Sequence, residues 1–180
     1  MKRIELVSNS ARRTGTLLGL FWIVKFILFP IGLLSSFVQF LFILLTLAVP
    51  FIVYYLVKSA RDKKELFNGT LSFYEAFTYT LMVYFYASLL VAVAHYIYFQ
   101  FIDHGFVFNQ YQEMVDSFSQ IAESNANLST SIEQLNKNID MMRSFTPIQL
   151  TFELMMNNLM WGFMMALPTA GFVMKKEKKQ

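Results

Sequence analysis

Cysteine is absent from this 180-residue chain, and histidine occurs twice, as His95 and His104. Disulfides, thiolate metal sites and cysteine nucleophiles are excluded together, and two histidines are too few for a typical metal cluster. Charge is scarce too: 15% of residues are Asp, Glu, Lys or Arg, against about 25% in an average soluble domain. No Ser, His and Asp set, carboxylate pair or phosphate-cradling glycine loop stands out at useful spacing, so no enzyme, cofactor, metal or nucleic-acid partner is expected. What fills the chain instead is apolar mass, 56% of residues, including 20 Phe and 11 Met. A domain of this size has too little interior to hide it, so much of it must face lipid.

Between residues 14 and 57 the only formal charge is Lys25. At about 1.5 Å per residue this run is twice the roughly 20 residues that one bilayer crossing needs, which makes it a helical hairpin. Pro30, Gly32, Ser35 and Ser36 interrupt it. Helix 1 is therefore expected at about 16–34 and helix 2 at about 37–57, with Pro50 as a kink. Ser72 and Glu75 have capping-box spacing and open helix 3, about 72–102, whose outer end carries Tyr96, Tyr98, Phe99 and Phe101 as an aromatic belt. Thr146, Pro147 and Gln149 open helix 4, about 147–174, which stops at the terminal lysines.

The segment 103–146 between these last two helices is rich in Gln, Asn, Ser and acids. Its apolar residues recur every three or four positions, at Tyr111, Val115, Phe118 and Ile121, then at Leu128, Ile132, Leu135, Ile139 and Met142. That is helical periodicity. The polar run Ser124, Asn125, Ala126, Asn127 and a second capping pair, Thr130 with Glu133, divide two amphipathic helices, about 109–123 and 131–144. They are expected to pack on each other, with the bilayer surface or another protein as alternatives. The whole is one all-α membrane domain over 1–180: four transmembrane helices with a two-helix amphipathic extramembrane segment between helices 3 and 4.

Four Lys or Arg lie in residues 1–13, four in 58–69 and four in the C-terminal tail, but only Lys137 and Arg143 in the long third loop. Cations accumulate in cytoplasmic loops, so both termini are expected in the cytoplasm. Residues 103–143 hold six acids against two bases, which does not suit a basic, membrane-adhering helix. A cleaved signal peptide ending near Ser35 and Ser36 is the competing reading of the N-terminus; Lys25 interrupts its apolar core.

Arg61-Asp62, Asn68-Gly69-Thr70-Leu71-Ser72-Phe73, Ala76-Phe77 and the stretch from Tyr96 through Ile97, Tyr98, Phe99, Gln100, Phe101 and Ile102 to Asp103 resemble the signature of a family of small bacterial membrane proteins, domain of unknown function 4199. The resemblance spans roughly residues 14–176 in layout. It implies four membrane helices with a helical extramembrane segment between the third and fourth, and lends no activity. Two departures are Gly69-Thr70 where members tend to have Gly-Gly, and Asp103-His104 where they tend to have Asp-Pro.

Polar residues inside spans are costly and often functional, which singles out Lys25, His95, Glu153, Asn157 and Asn158. Counted from the cytoplasmic edges, Lys25 lies about 15 Å deep, His95 about 22 to 27 Å, the Asn pair about 24 Å and Glu153 about 31 Å. They are candidates for one outer-leaflet polar cluster, set against snorkelling, interfacial placement and ordinary interhelical bonding. Gly162, Ala166 and Ala170, with Ser88 and Ala92, repeat at four-residue intervals and favour packing of helix 3 on helix 4, a homo-oligomer contact through the same face being the other option. The methionines 155, 156, 160, 164 and 165 scatter around their helix and suit lipid contact better than Cu(I). The leading functional expectation is a non-enzymatic structural or partner-binding component, meeting a membrane or periplasmic protein through residues 103–146. The alternative is a small ion or solute transporter using Lys25, His95, Glu153 and Asn157.

Overall fold

In the computed structural model the described residues are 2–122 and 126–175. Six helices account for most of them: α1 (Lys2–Gly32), α2 (Ser36–Asp62), α3 (Phe73–Phe101), α4 (Phe106–Ala122), α5 (Ala126–Arg143) and α6 (Pro147–Val173). They belong to two compact units, residues 1–93 with 154–180, and residues 94–153.

In the first unit, α1 begins far ahead of the expected residue 16. Val7, Ala11, Gly15, Leu18 and Trp22 fall at helical spacing on one face. Ala11, Leu18 and Trp22 are buried and Val7 packs against the same core, so the basic flank is drawn into the helix by its own apolar stripe. A turn of three successive backbone bonds closes α1 after Pro30. At its tip a Cβ on Gly32 would lie 3.1 Å from Gln39 Cα, and Phe29 meets Phe42 at 5.7 Å between ring centroids. α2 then returns along α1, burying Val49, Val53, Val57 and Ala60 and holding Pro50 within the helix.

The start of α3 is fixed by the expected box. Ser72 N and Oγ donate to Glu75 Oε2 at 3.0 and 2.7 Å, and Glu75 N donates back to Ser72 Oγ at 3.3 Å. α3 runs parallel to α1, since Ser10 and Thr14 bond Tyr79, Gly15 abuts Val83 and Tyr86, and Gly19 abuts Ala87 and Leu90. α6 runs antiparallel to α3, because Leu71 bridges Lys175 while Gly162 meets Tyr84. The starts of α1 and α3 and the ends of α2 and α6 therefore share one end of this unit.

Among the described residues three helices are long and apolar enough to cross a membrane, by length and composition: Ile4–Gly32, Ser36–Asp62 and Phe73–Phe101. α6 has the length, 27 residues, but Asn157, Asn158, Pro168 and Thr169 dilute its apolar run and keep it out of that set. The outward faces are strongly apolar: Phe37 and Phe51 are each 76% exposed. A water-facing surface rarely carries so many large apolar groups together.

In the second unit, α4 and α5 pack against each other as an antiparallel pair. Gln112 Nε2 donates to Asn136 Oδ1 at 2.9 Å, and Arg143 reaches Asn109 Oδ1 at 3.4 Å. α5 begins at Ala126, so Thr130 is inside the helix rather than capping it. Of the expected break, Ser124 and Asn125 lie outside the described residues. Val107, Phe108, Val115 and Ile139 are buried, whereas Phe118, Leu128, Leu135 and Met142 are exposed, so the expected apolar stripes are only partly used within the pair.

Candidate functional site

Two places in the first unit concentrate polar chemistry among apolar helices. One is the seam where α1 and α6 meet α3. Tyr79, 1% exposed, shares its hydroxyl with Ser10 Oγ and Thr14 Oγ1, each at 3.0 Å. Two turns further, the Trp22 and Tyr84 rings pack with centroids 5.6 Å apart. Trp22 Nε1 and Tyr84 Oη are buried without a hydrogen-bond partner among the described residues. A Cβ on Gly162 would lie 2.6 Å from Tyr84 Cγ, so only glycine lets α6 approach that ring.

Of the expected packing residues, Gly162 is in contact across this seam and the other four are buried. Ala166 and Ala170 are fully buried on the same face of α6 as Gly162, and Ser88 and Ala92 are buried on α3. Ser88 Oγ returns its proton to Tyr84 O at 2.8 Å, which satisfies the hydroxyl inside its own helix. Sequence reasoning overlooked the small residues that α1 presents to α3. Ala11, Gly15 and Gly19 form a small-residue ladder at four-residue spacing, the pattern that allows close helix approach, and it was visible in the sequence.

The ionisable candidates are placed differently. Lys25 is half-buried with Nζ 5.4 Å from the centroid of Phe42 on α2, a cation–π contact of about 0.5–2 kcal/mol. Asn157 is exposed and Asn158 half-buried on α6, while His95 (buried) and Glu153 (exposed) belong to the second unit. Within the first unit no hydrogen bond or ion pair joins Lys25, Asn157 and Asn158 to one another, and among the described residues no group of His, Asp and Glu could hold a metal ion.

The other polar place is the shared end of the first unit. Arg61 Nε pairs with Asp62 Oδ1 at 2.8 Å, and its Nη1 donates to Val173 O at 3.0 Å, tying the end of α2 to the end of α6. Asn68 and Gly69 take positive φ, 48° and 76°, so the chain can turn and Gly69 N can reach Arg61 O at 2.9 Å. Leu71, 1% exposed, then exchanges backbone bonds of 2.9 and 2.8 Å with Lys175.

A model of the family described as protein of unknown function DUF4199 matches residues 13–175. The chain belongs to the DUF4199 family. No curated protein and no solved structure matches it significantly. In this DUF4199 protein the residues that carry the resemblance have structural tasks: Arg61 and residues 68–72 bind three helix ends together. Asp103 caps α4, accepting from Gly105 N at 3.0 Å and Val107 N at 3.1 Å while His104 and Gly105 turn through positive φ.

The α4–α5 pair carries further polar chemistry. Lys137 donates to Glu133 at 2.7 Å and holds its carboxyl below the usual range. Burial pushes the Tyr111 phenol up.

Proposed function

We propose that this DUF4199 protein is a four-span protein of the bacterial inner membrane, both termini cytoplasmic, that acts without catalysis as a structural or partner-binding component through the α4–α5 pair. The observation that carries the fourth span is register. Leu71 meets Lys175 just outside the two helices and Tyr84 meets Gly162 inside them, thirteen residues on in each segment, so α3 and α6 run side by side for about 17 Å of helix. A bilayer that takes α3 takes α6 with it. Orientation follows from charge, since Lys58, Arg61, Lys63, Lys64 and Lys175 gather at the shared helix ends, as cytoplasmic ends do.

The partner reading rests on Phe118, 61% exposed, with Leu128 and Leu135 beside polar and acidic residues. Six acids against two bases over 103–143 repel an anionic bilayer surface. A protein with an apolar patch and a basic rim fits better. A photoreactive residue placed at Phe118 or Leu135 in native membranes should give one discrete protein adduct, and at Asn138 none. Lipid adducts alone, or equal labelling at all three positions, would sink the partner reading.

A further inference from the structure

The last turns of α2 hold a feature that neither the helix packing nor the partner reading uses. Tyr55, Lys58, Ser59 and Asp62 recur at spacings of three and four, so they share one side of the helix end, and Lys63 follows directly as its extended C-cap residue. They line an open groove of about 420 Å³. Lys58 and Lys63 bring two ammonium groups, and among the described residues no carboxylate lies within salt-bridge distance of either. Lys58 Nζ lies 5.9 Å from the Tyr54 ring centroid, which steadies it beside the helix. Ser59 and Tyr55 add hydroxyl donors. The groove's carboxylate, Asp62, is already held by Arg61 at 2.8 Å, so the groove presents mainly donors and positive charge.

The surface leading away from the groove along α2 is apolar and open. Leu47, Phe51 and Tyr55 follow at four-residue intervals and are 63%, 76% and 71% exposed. A free phosphate would use the groove alone, whereas a phospholipid would use both parts, its phosphate on the lysines and its acyl chain along this stripe. We propose that the end of α2 is a binding site for an anionic membrane phospholipid, with Lys58 and Lys63 engaging the headgroup phosphate and Leu47, Phe51 and Tyr55 the acyl chain. The site requires only that α2 lies in a bilayer, so it stands or falls separately from the partner reading.

The test is native mass spectrometry of the full chain in detergent, supplied with phosphatidylglycerol, phosphatidylcholine or glycerol 3-phosphate. The wild type should retain phosphatidylglycerol in preference to phosphatidylcholine, and glycerol 3-phosphate should not displace it. A lysine near a lipid phosphate is worth roughly fivefold in affinity, so Lys58→Gln with Lys63→Gln should cut retention about thirtyfold. The matching Lys58→Arg and Lys63→Arg pair should keep most of it, and Lys64→Gln, outside the groove, should keep it all. Equal retention of both lipids, displacement by glycerol 3-phosphate, or a double Gln variant that binds like wild type would each overturn the proposal.

Discussion

Replacing Gly15 by alanine adds one methyl group where α1 leans on α3. Its Cβ would lie 2.6 Å from Tyr86 Cβ and 2.7 Å from Val83 O, whereas ordinary contact begins at 3.4 Å. The helices would have to part by about 0.8 Å, and no side-chain rotation relieves the strain because both contacting atoms are fixed by the α3 backbone. A gap of that size forfeits about a quarter to a half of the dispersion attraction of each contact it opens. Overpacking of this kind costs about 1–3 kcal/mol, and alanine returns up to about 1 kcal/mol as the better helix former. The expected net loss is about 1–2 kcal/mol. Gly171→Ala is the internal control: nothing lies within 4 Å of its added Cβ, so the helix-forming gain of about 0.5–1 kcal/mol should stand alone. Reversible unfolding in mixed micelles, or steric trapping in bilayers, measures both. If Gly15→Ala proves as stable as Gly171→Ala, α1 does not rest on α3 through this ladder.

The other expectations probe single contacts. Tyr84→Phe removes a buried hydroxyl that lacks a partner and should leave stability unchanged or raise it by about 1 kcal/mol, while Tyr84→Ala should cost about 3–5 kcal/mol; a clear loss from the Phe variant would mean the hydroxyl is bonded. Arg61→Gln removes the donor to Val173 O and should quicken amide exchange over residues 170–175, with unchanged exchange counting against the clasp. Ser72→Ala breaks the capping box at the start of α3 and should lower stability by about 1 kcal/mol. Glu133 has a depressed carboxyl because Lys137 bonds its charged form. Its contribution is present above the ordinary Glu value of about 4.3 and lost as pH falls through the lower folded value. An NMR titration should place Glu133 below that ordinary value and Lys137→Met should move it back up; a wild-type value at the ordinary position would refute the pairing.

The starts of α3 and α6 were the most legible part of this fold, because a capping pair is a local contract between two side chains and a backbone. Ser72 with Glu75 forms the full reciprocal box, and at Thr146 the Gln149 side chain reaches back to accept from the Thr146 N–H and hydroxyl. Thr130 with Glu133 has the same spacing yet sits inside α5, so the pattern alone does not start a helix that already propagates from upstream. The length of α1 was hidden by its charges: Lys and Arg drew the boundary at residue 16, while the stripe through Val7 and Ala11 carried the helix on. The polar cluster was the least legible. Counting residues gives height along a helix but not direction around it, and Lys25 turns to Phe42 of its hairpin partner while Asn157 faces outward. Gly162 was singled out on α6 and meets Tyr84, whereas Gly15 and Gly19 were overlooked on α1 although they have the same four-residue interval.

The central claim is that α6 crosses the membrane beside α3 and returns the chain to the side on which α2 ends. Because the chain has no cysteine, single cysteines introduced at Ser36, Ser59, Ser117 and Lys175 can be tested one at a time with a membrane-impermeant maleimide on sealed vesicles of known orientation. Ser59 and Lys175 should label from the cytoplasmic face, and Ser36 and Ser117 from the opposite face. Labelling of Lys175 from the same face as Ser117 would contradict the account.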